Sequence, residues 1–216
     1  AREYFIDELI KAFPNLPLNF VRKELEALDP SDLLVWAIEG SDSFAKHMVS
    51  LSSLQNISGK ALENKSRRLT NTPIHPVPNL LFTRDLAAVI GNQIILSRAA
   101  TPARLRESIL MDMLVHYNPL FDSFRNSIIQ LPAEQYIEGG DILVASEELI
   151  LIGISERSSF AGMLKAAESL MTGGVKTILA IEIPKQRSSM HLNTIFTFAS
   201  EHECVIYPPV FQKKSQ

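Results

Sequence analysis

The sequence predicts an α/β fold in which strand hairpins alternate with helices, behind a helical region at the start of the chain. Three observations carry this expectation. Apolar residues early in the chain fall at helical spacing. From Thr72 onward, short β-rich runs broken by turn residues alternate with helical stretches. An acid, a hairpin, an arginine and a helix then recur in that order. The expected organisation is a helical region over 1–70 and a domain of repeated strand–strand–helix units over 71–216.

The elements follow in order. Phe5, Ile6, Leu9, Ile10 and Phe13 predict a first helix that Pro14 stops. Asp29-Pro30 reads as an N-cap followed by a first-turn proline, opening a helix through Leu33, Leu34, Trp36, Ala37 and Ile38 to Gly40. Ser41 or Asp42 caps a third helix through Phe44, Met48 and Leu51. The polar stretch from Asn56 to Asn71 reads as a linker, and Pro73, Pro76 and Pro78 as an extended entry. Ala87–Ile90 and Gln93–Leu96 then flank Gly91-Asn92, a hairpin signal. Thr101-Pro102 caps a helix with Leu105, Ile109, Leu110, Met113 and Leu114 inward. A second pass places a hairpin at 141–145 and 149–154. Ser158 or Ser159 caps its helix, with Phe160, Leu164, Ala167 and Met171 inward, ended near Gly173-Gly174. Val175 to Glu182 is a further strand. A third pass begins at His191 with runs at 194–199 and 204–207.

Composition narrows the function. The 216 residues are 46% hydrophobic and 21% charged, enough to bury a core. A net charge of −3 without a basic stripe argues against nucleic acid as partner. No apolar run is long enough to span a bilayer, and no signal peptide opens the chain. One cysteine suggests a reducing compartment, so a cytoplasmic location is expected. The chain opens on Ala1 rather than methionine and stops inside a third unit, which predicts a trimmed or partial chain. An unfinished unit predicts an open strand edge and self-association.

The repeat carries chemistry. Asp85 precedes the first hairpin and Arg104 follows it; Glu138 precedes the second and Arg157 follows it. Both pairs are nineteen residues apart (104 − 85 = 157 − 138). His191 and Asn193 precede the third hairpin. Units of this kind arranged around an axis would bring Asp85, Glu138, His191 and Asn193 into one pocket, with Arg104 and Arg157 at its rim. Two carboxylates suit a planar guanidinium, which offers paired donors. Two arginines suit a carboxylate. The combination is complementary to a free guanidino amino acid. Gly139-Gly140, beside Glu138, reads as a place where the backbone approaches substrate, and Cys204, in an alternating strand, as a small core residue.

Pro78 to Asp85, Glu138-Gly139-Gly140-Asp141, Ile152 to Arg157 and Met190 to Thr194 together resemble arginine deiminase, of the guanidine-modifying (amidinotransferase) superfamily, from about Leu28 to about Pro209. The resemblance implies an αβ-propeller, pentein-like, of ββαβ units with an inserted helical domain. It implies hydrolysis of free L-arginine to L-citrulline and ammonia through a cysteine-linked amidino intermediate. By position, Asp85 grips the guanidinium, Glu138 assists, and His191 shuttles protons. Asn79, Arg104 and Arg157 hold the α-amino and α-carboxylate end. No cofactor is implied, and the five histidines show no metal-ligand spacing.

Two departures stand out. Where the family motif reads His-Leu-Asp, this chain has Asn193, which accepts through its oxygen without charge. The family nucleophile lies well beyond the histidine motif, and Cys204 does not occupy its position, so the catalytic cysteine is expected outside this chain. Alternative readings are another guanidine-modifying enzyme, dimethylarginine hydrolase or an amidinotransferase, and a non-catalytic arginine-binding protein.

Overall fold

The computed structural model describes residues 1–13, 16, 18–41 and 74–212. Two compact units are formed, Ala1–Asn79 and Leu80–Gln216. In the first, α1 (Arg2–Lys11) buries Phe5, Ile6, Leu9 and Ile10, the residues whose spacing marks it in the sequence. Helix α2 (Leu18–Ala27) has no counterpart in the sequence reading. Val21 and Leu25 are buried in a segment otherwise rich in charge, too few positions to display a period. Helix α3 (Pro30–Glu39) starts as its cap predicts: Asp29 accepts the Ser31 and Asp32 N–H groups, both at 2.8 Å, with Pro30 in the first turn. Trp36 packs edge-on against Phe13, their rings 5.8 Å apart. The expected third helix, the polar stretch to Asn71, Pro14 and Pro73 lie outside the described residues.

The second unit repeats one plan. Strands β1 (Ala87–Ile90) and β2 (Gln93–Leu96) pair antiparallel; α4 (Leu105–Tyr117) crosses over, and β3 (Ile128–Ile129) returns parallel to β2. Likewise β4 (Ile142–Val144) and β5 (Leu149–Ile154) pair antiparallel, α5 (Phe160–Thr172) crosses over, and β6 (Thr177–Glu182) lies parallel to β5. A parallel third strand needs such a crossover. β7 (Phe196–Phe198) and β8 (Cys204–Ile206) form a third hairpin, followed by the short α6 (Pro208–Phe211). Two ββαβ units and the opening of another are therefore present. β3, only two residues long, is absent from the sequence reading because so short an apolar run carries no period. One shared core joins the repeats, with Ile90, Ile95 and Ile129 from the first against Ile150, Ile152 and Leu170 from the second.

Several side chains differ from expectation. On α5, Phe160, Leu164 and Met171 are exposed, and Met163, Ala166, Ala167 and Leu170 are buried. Both stripes are apolar with helical period, so only the sheet beneath decides which faces inward. On α4, Leu114 is exposed and Ile109 and Val115 are buried, beside Arg106 and Glu107. Thr101 does not cap that helix: Pro102–Arg104 form a 3₁₀ turn leading into it, and the Thr101 hydroxyl accepts a bond from Arg157. Ser159 caps α5, its Oγ accepting the Gly162 N–H, while Ser158 turns elsewhere. Cys204 is exposed, as is all of β8. Alternation predicts a buried face only where another layer covers the hairpin. No helix among the described residues is long and apolar enough to cross a membrane.

Candidate active site

Each hairpin of the second unit is entered through a single 3₁₀ turn: Thr83–Asp85, Gly139–Asp141 and Leu192–Thr194. The residues just ahead of these turns are Phe82, Glu138 and His191; the residues closing them are Asp85, Asp141 and Thr194. This alignment corrects the equal-spacing reading. Asp85 stands two residues before β1, whereas Glu138 stands four before β4. Arg104 comes eight residues after Leu96, the partner of Ala87, whereas Arg157 comes five after Ile152, the partner of Ile142. Two residues fewer before the first hairpin and three more after it are offset by a hairpin one residue shorter, Ala87 to Leu96 against Ile142 to Ile152, so the spacing of nineteen joins positions that are not topologically equivalent.

The side chains nevertheless converge. Glu138 and His191 are buried, and Asp85 is mostly so. His191 Nε2 lies 2.9 Å from Glu138 Oε2, and its Nδ1 lies 3.8 Å from Asp85 Oδ1. Arg104 bridges the two acids: its Nη1 donates to Glu138 Oε2 at 2.7 Å and to Asp85 Oδ2 at 3.2 Å, while Nε donates to Glu107 at 2.9 Å. Arg104 is thus not at a rim but buried, 5% exposed, because three carboxylates compensate its charge. Arg157 is half-buried. It reaches Thr101 Oγ1 at 3.3 Å and Met190 Sδ at 3.3 Å, with Nη1 3.9 Å from Glu138 Oε1. Buried Glu138 Oε1, Arg104 Nη2 and Arg157 Nε have no hydrogen-bond partner among the described residues. Asn193 is half-buried, two residues past His191, and makes no hydrogen bond to the cluster. Asn79, also half-buried, closes the first unit.

Charge and burial compete here. Burial draws the His191 pKa down, but the Glu138 hydrogen bond and the charges of Asp141, Asp85 and Glu138 outweigh it and leave it above the usual value. Burial pushes the Asp141 carboxyl up, against the pull of Ser155, Ser158, the Leu192 N–H and His191. Burial acts against the Arg104 cation too, yet Glu107, Glu138 and Asp85 together hold its pKa above the usual range.

One ligand atom each from Asp85, Glu138 and His191 falls within 4.8 Å of the others, a spacing open to a metal ion. Asp85 Oδ2 and Glu138 Oε2 already accept hydrogen bonds from the Arg104 guanidinium, so the pair of acids is arranged to hold a guanidinium. The paired glycines make room for neighbouring turns. A Cβ on Gly140 would sit 2.6 Å from His191 Nδ1, and one on Gly139 2.0 Å from the Arg84 carbonyl oxygen. The backbone approaches its own neighbouring turns, and Gly139 also lines a cavity together with Arg84, Ala88 and Val144.

Four residues of this arrangement escape the sequence reading: Glu107, Asp141, Ser155 and Ser158. Asp141, fully buried, accepts Ser155 Oγ–H and Ser158 Oγ–H at 2.6 Å and the Leu192 N–H at 2.7 Å. Asp141 and Ser155 lie inside the motifs quoted above, but their spacing follows no helical or strand period.

Residues 26–216 match the family described as arginine deiminase. Arginine deiminase of Listeria welshimeri is 39% identical over 146 residues, 66% of this chain and 36% of that protein. The Bacillus cereus enzyme is 40% identical over 141 residues, 63% of this chain and 34% of its own length. The chain thus spans about a third of the length of these curated relatives. Among solved structures, the N-terminal domain of ArgZ bound to product, an arginine dihydrolase from cyanobacteria, superposes with a TM-score of 0.53. Its identity is 23%, over 62% of this chain and 46% of that one. A dimethylarginine dimethylaminohydrolase adduct gives a TM-score of 0.51 at 18% identity, over 60% of this chain and 48% of that one. At these identities the likeness is one of fold.

Proposed function

The chain belongs to the arginine deiminase family, and from that premise we propose that the protein hydrolyses free L-arginine to L-citrulline and ammonia. One observation carries the reading. Asp85 and Glu138 already clasp a guanidinium, that of Arg104, beside the His191 imidazole. The same acids would hold the substrate guanidinium once Arg104 releases them. Arg104 keeps its Nε on Glu107 and turns its other nitrogens to the substrate carboxylate, together with Arg157, while Asn79 takes the α-amino end. A thiolate attacks the guanidinium carbon, and protonated His191 gives its proton to the departing ammonia. His191 then takes a proton from water, which cleaves the amidino–sulfur bond and frees citrulline and the thiolate. Cys204 is not that thiol in this reading. It lies on the third hairpin and is not among the side chains that cluster with Asp85, Glu138 and His191.

The test is citrulline and ammonia release by the longest natural form carrying this chain. Arg104→Ala or Arg157→Ala should raise KM for arginine strongly and affect agmatine, which lacks the carboxylate, little. Equal losses on both would contradict the assignment. Cys204→Ser should leave turnover intact, and the exposed Cys204 should be labelled by a thiol reagent without loss of turnover. Asn193 favours a second reading, a different guanidine as substrate. Asn193→Asp should tighten arginine by roughly 1–3 kcal/mol. Unchanged arginine binding with lost activity on another guanidine selects that alternative, and binding without turnover of any guanidine selects a non-catalytic arginine-binding protein.

A further inference from the structure

Asp141 touches none of the paired charges of the cluster, yet it connects to the backbone of three proposed site residues. Its Oδ1 accepts the N–H of Leu192, the residue after His191, at 2.7 Å. Its Oδ2 accepts the hydroxyls of Ser155 and Ser158, each at 2.6 Å. Those hydroxyl oxygens are themselves acceptors. Ser158 Oγ takes the Glu138 N–H at 3.1 Å, and Ser155 Oγ takes the Arg157 N–H at 2.9 Å. Because each oxygen accepts a backbone N–H, its own proton is free to go to the carboxylate, and the network satisfies every member. The Asp141 N–H closes the circuit on the Glu138 carbonyl at 2.9 Å. Room for this is built in: a Cβ on Gly153 would lie 2.4 Å from Asp141 Oδ1.

From this geometry we infer that Asp141 is a positioning residue: one buried carboxylate that sets the Glu138, Arg157 and His191 turns in register with one another. The residues belong to two successive repeats, and no direct hydrogen bond joins the backbone of Glu138 or Arg157 to the His191 turn among the described residues. Asp141 is the link. It acts on the reaction through His191, whose ring must face both the leaving nitrogen and the incoming water. A misplacement of about 1 Å in such a group can cost on the order of 10²-fold in rate. The inference uses the proposed arginine hydrolysis only for its kinetic test.

Two measurements examine it on Asp141→Asn, with Asp122→Asn, an exposed surface acid paired with Arg125, as control. The first is NMR of this 216-residue chain, following the Leu192 amide and the titration of the His191 ring. His191 is faced by Asp85, Glu138 and Asp141, with Arg104 and Arg157 on Glu138. Asp141→Asn should move the Leu192 amide and lower the His191 titration midpoint, and Asp122→Asn should do neither. The second is arginine turnover by the longest natural form. Asp141→Asn should lower kcat about 10²-fold and also raise KM, because the His191 shuttle and the Glu138 and Arg157 turns that hold substrate are displaced together, whereas Asp122→Asn should change neither. A folded Asp141→Asn with unchanged Leu192 and His191 signals, or with full kcat, overturns the inference. Should that variant not fold, Ser155→Ala is judged by the same NMR criteria, and an unmoved His191 again overturns it. If the unsubstituted protein turns over no arginine, the functional proposal fails, and the NMR arm still decides the role of Asp141.

Discussion

The first and second 3₁₀ turns occupy the same place in successive repeats and both close on an aspartate, yet they are built oppositely. Thr83-Arg84-Asp85 is largely solvent-facing, and its aspartate points to Arg104 and His191. Gly139-Gly140-Asp141 is buried throughout, and its aspartate is spent on Ser155, Ser158 and the Leu192 N–H. The second turn lies against its neighbours on both sides, Arg84 of the first and His191 of the third. A wedged turn tolerates no Cβ where those neighbours approach, and a buried carboxylate must be fully bonded. The outer turn carries Thr83 and Arg84 exposed where the inner one needs glycines, and its mostly buried aspartate is bonded to the Arg104 side chain rather than to scaffold hydroxyls and a backbone N–H, which keeps it within the site. One fold position has been divided between scaffold and site.

The largest break of this comparison is removal of each aspartate. Asp141→Ala leaves two hydroxyls and one N–H without their acceptor in the core, and should cost at least about 3 kcal/mol of stability. Asp85→Ala leaves Arg104 with Glu107 and Glu138, and should cost no more than about 1.5 kcal/mol. Urea unfolding of the two variants measures the difference; equal losses would remove the distinction between the turns.

A smaller effect tests the wedge. Gly140→Ala forces a methyl against His191 and should cost roughly 1–3 kcal/mol, with displaced His191 resonances. At the matching position of the exposed turn, Arg84→Ala should stay within about 0.5 kcal/mol. A silent Gly140→Ala would mean that the turns are not packed as described.

The mildest test is pH. The His191 pKa is raised in the folded chain, chiefly through Glu138 and nearby acids acting against burial. A raised pKa contributes stability that is fully present below the ordinary histidine value of about 6.5 and is lost as pH rises through the folded value. Urea midpoints should therefore fall across that window, and His191→Gln should flatten the fall. A midpoint difference between the two proteins that does not change with pH would sharpen the picture the other way, assigning His191 no preferential charge in the folded state.

Much of this was legible in the residues. Local signals are strong where one residue type answers one local need: the Asp29-Pro30 cap, the stop at Gly173, the turn between β1 and β2. The motifs that resemble arginine deiminase mark Asp85, Glu138 and His191, and these do meet. What was not legible depends on what lies above or beside an element. α5 carries two apolar stripes of the same period, and the sheet, not the helix, selects Met163 and Leu170 over Leu164 and Met171. Ser158 and Ser159 are equal candidates for the cap until one of them is drawn to Asp141.

By itself, then, the sequence determined the α/β alternation, the repeat, and which acids and arginines to look for, because short-range periodicity and capping act within a few residues along the chain. Tertiary structure alone decided that Arg104 is buried between Asp85 and Glu138, that Cys204 faces outward, and that Asp141 ties two repeats together. Those outcomes turn on whether a charge finds compensation, a strand face finds cover, or a buried oxygen finds donors. The groups that answer come from distant parts of the chain, and their proximity exists only once the repeats have packed.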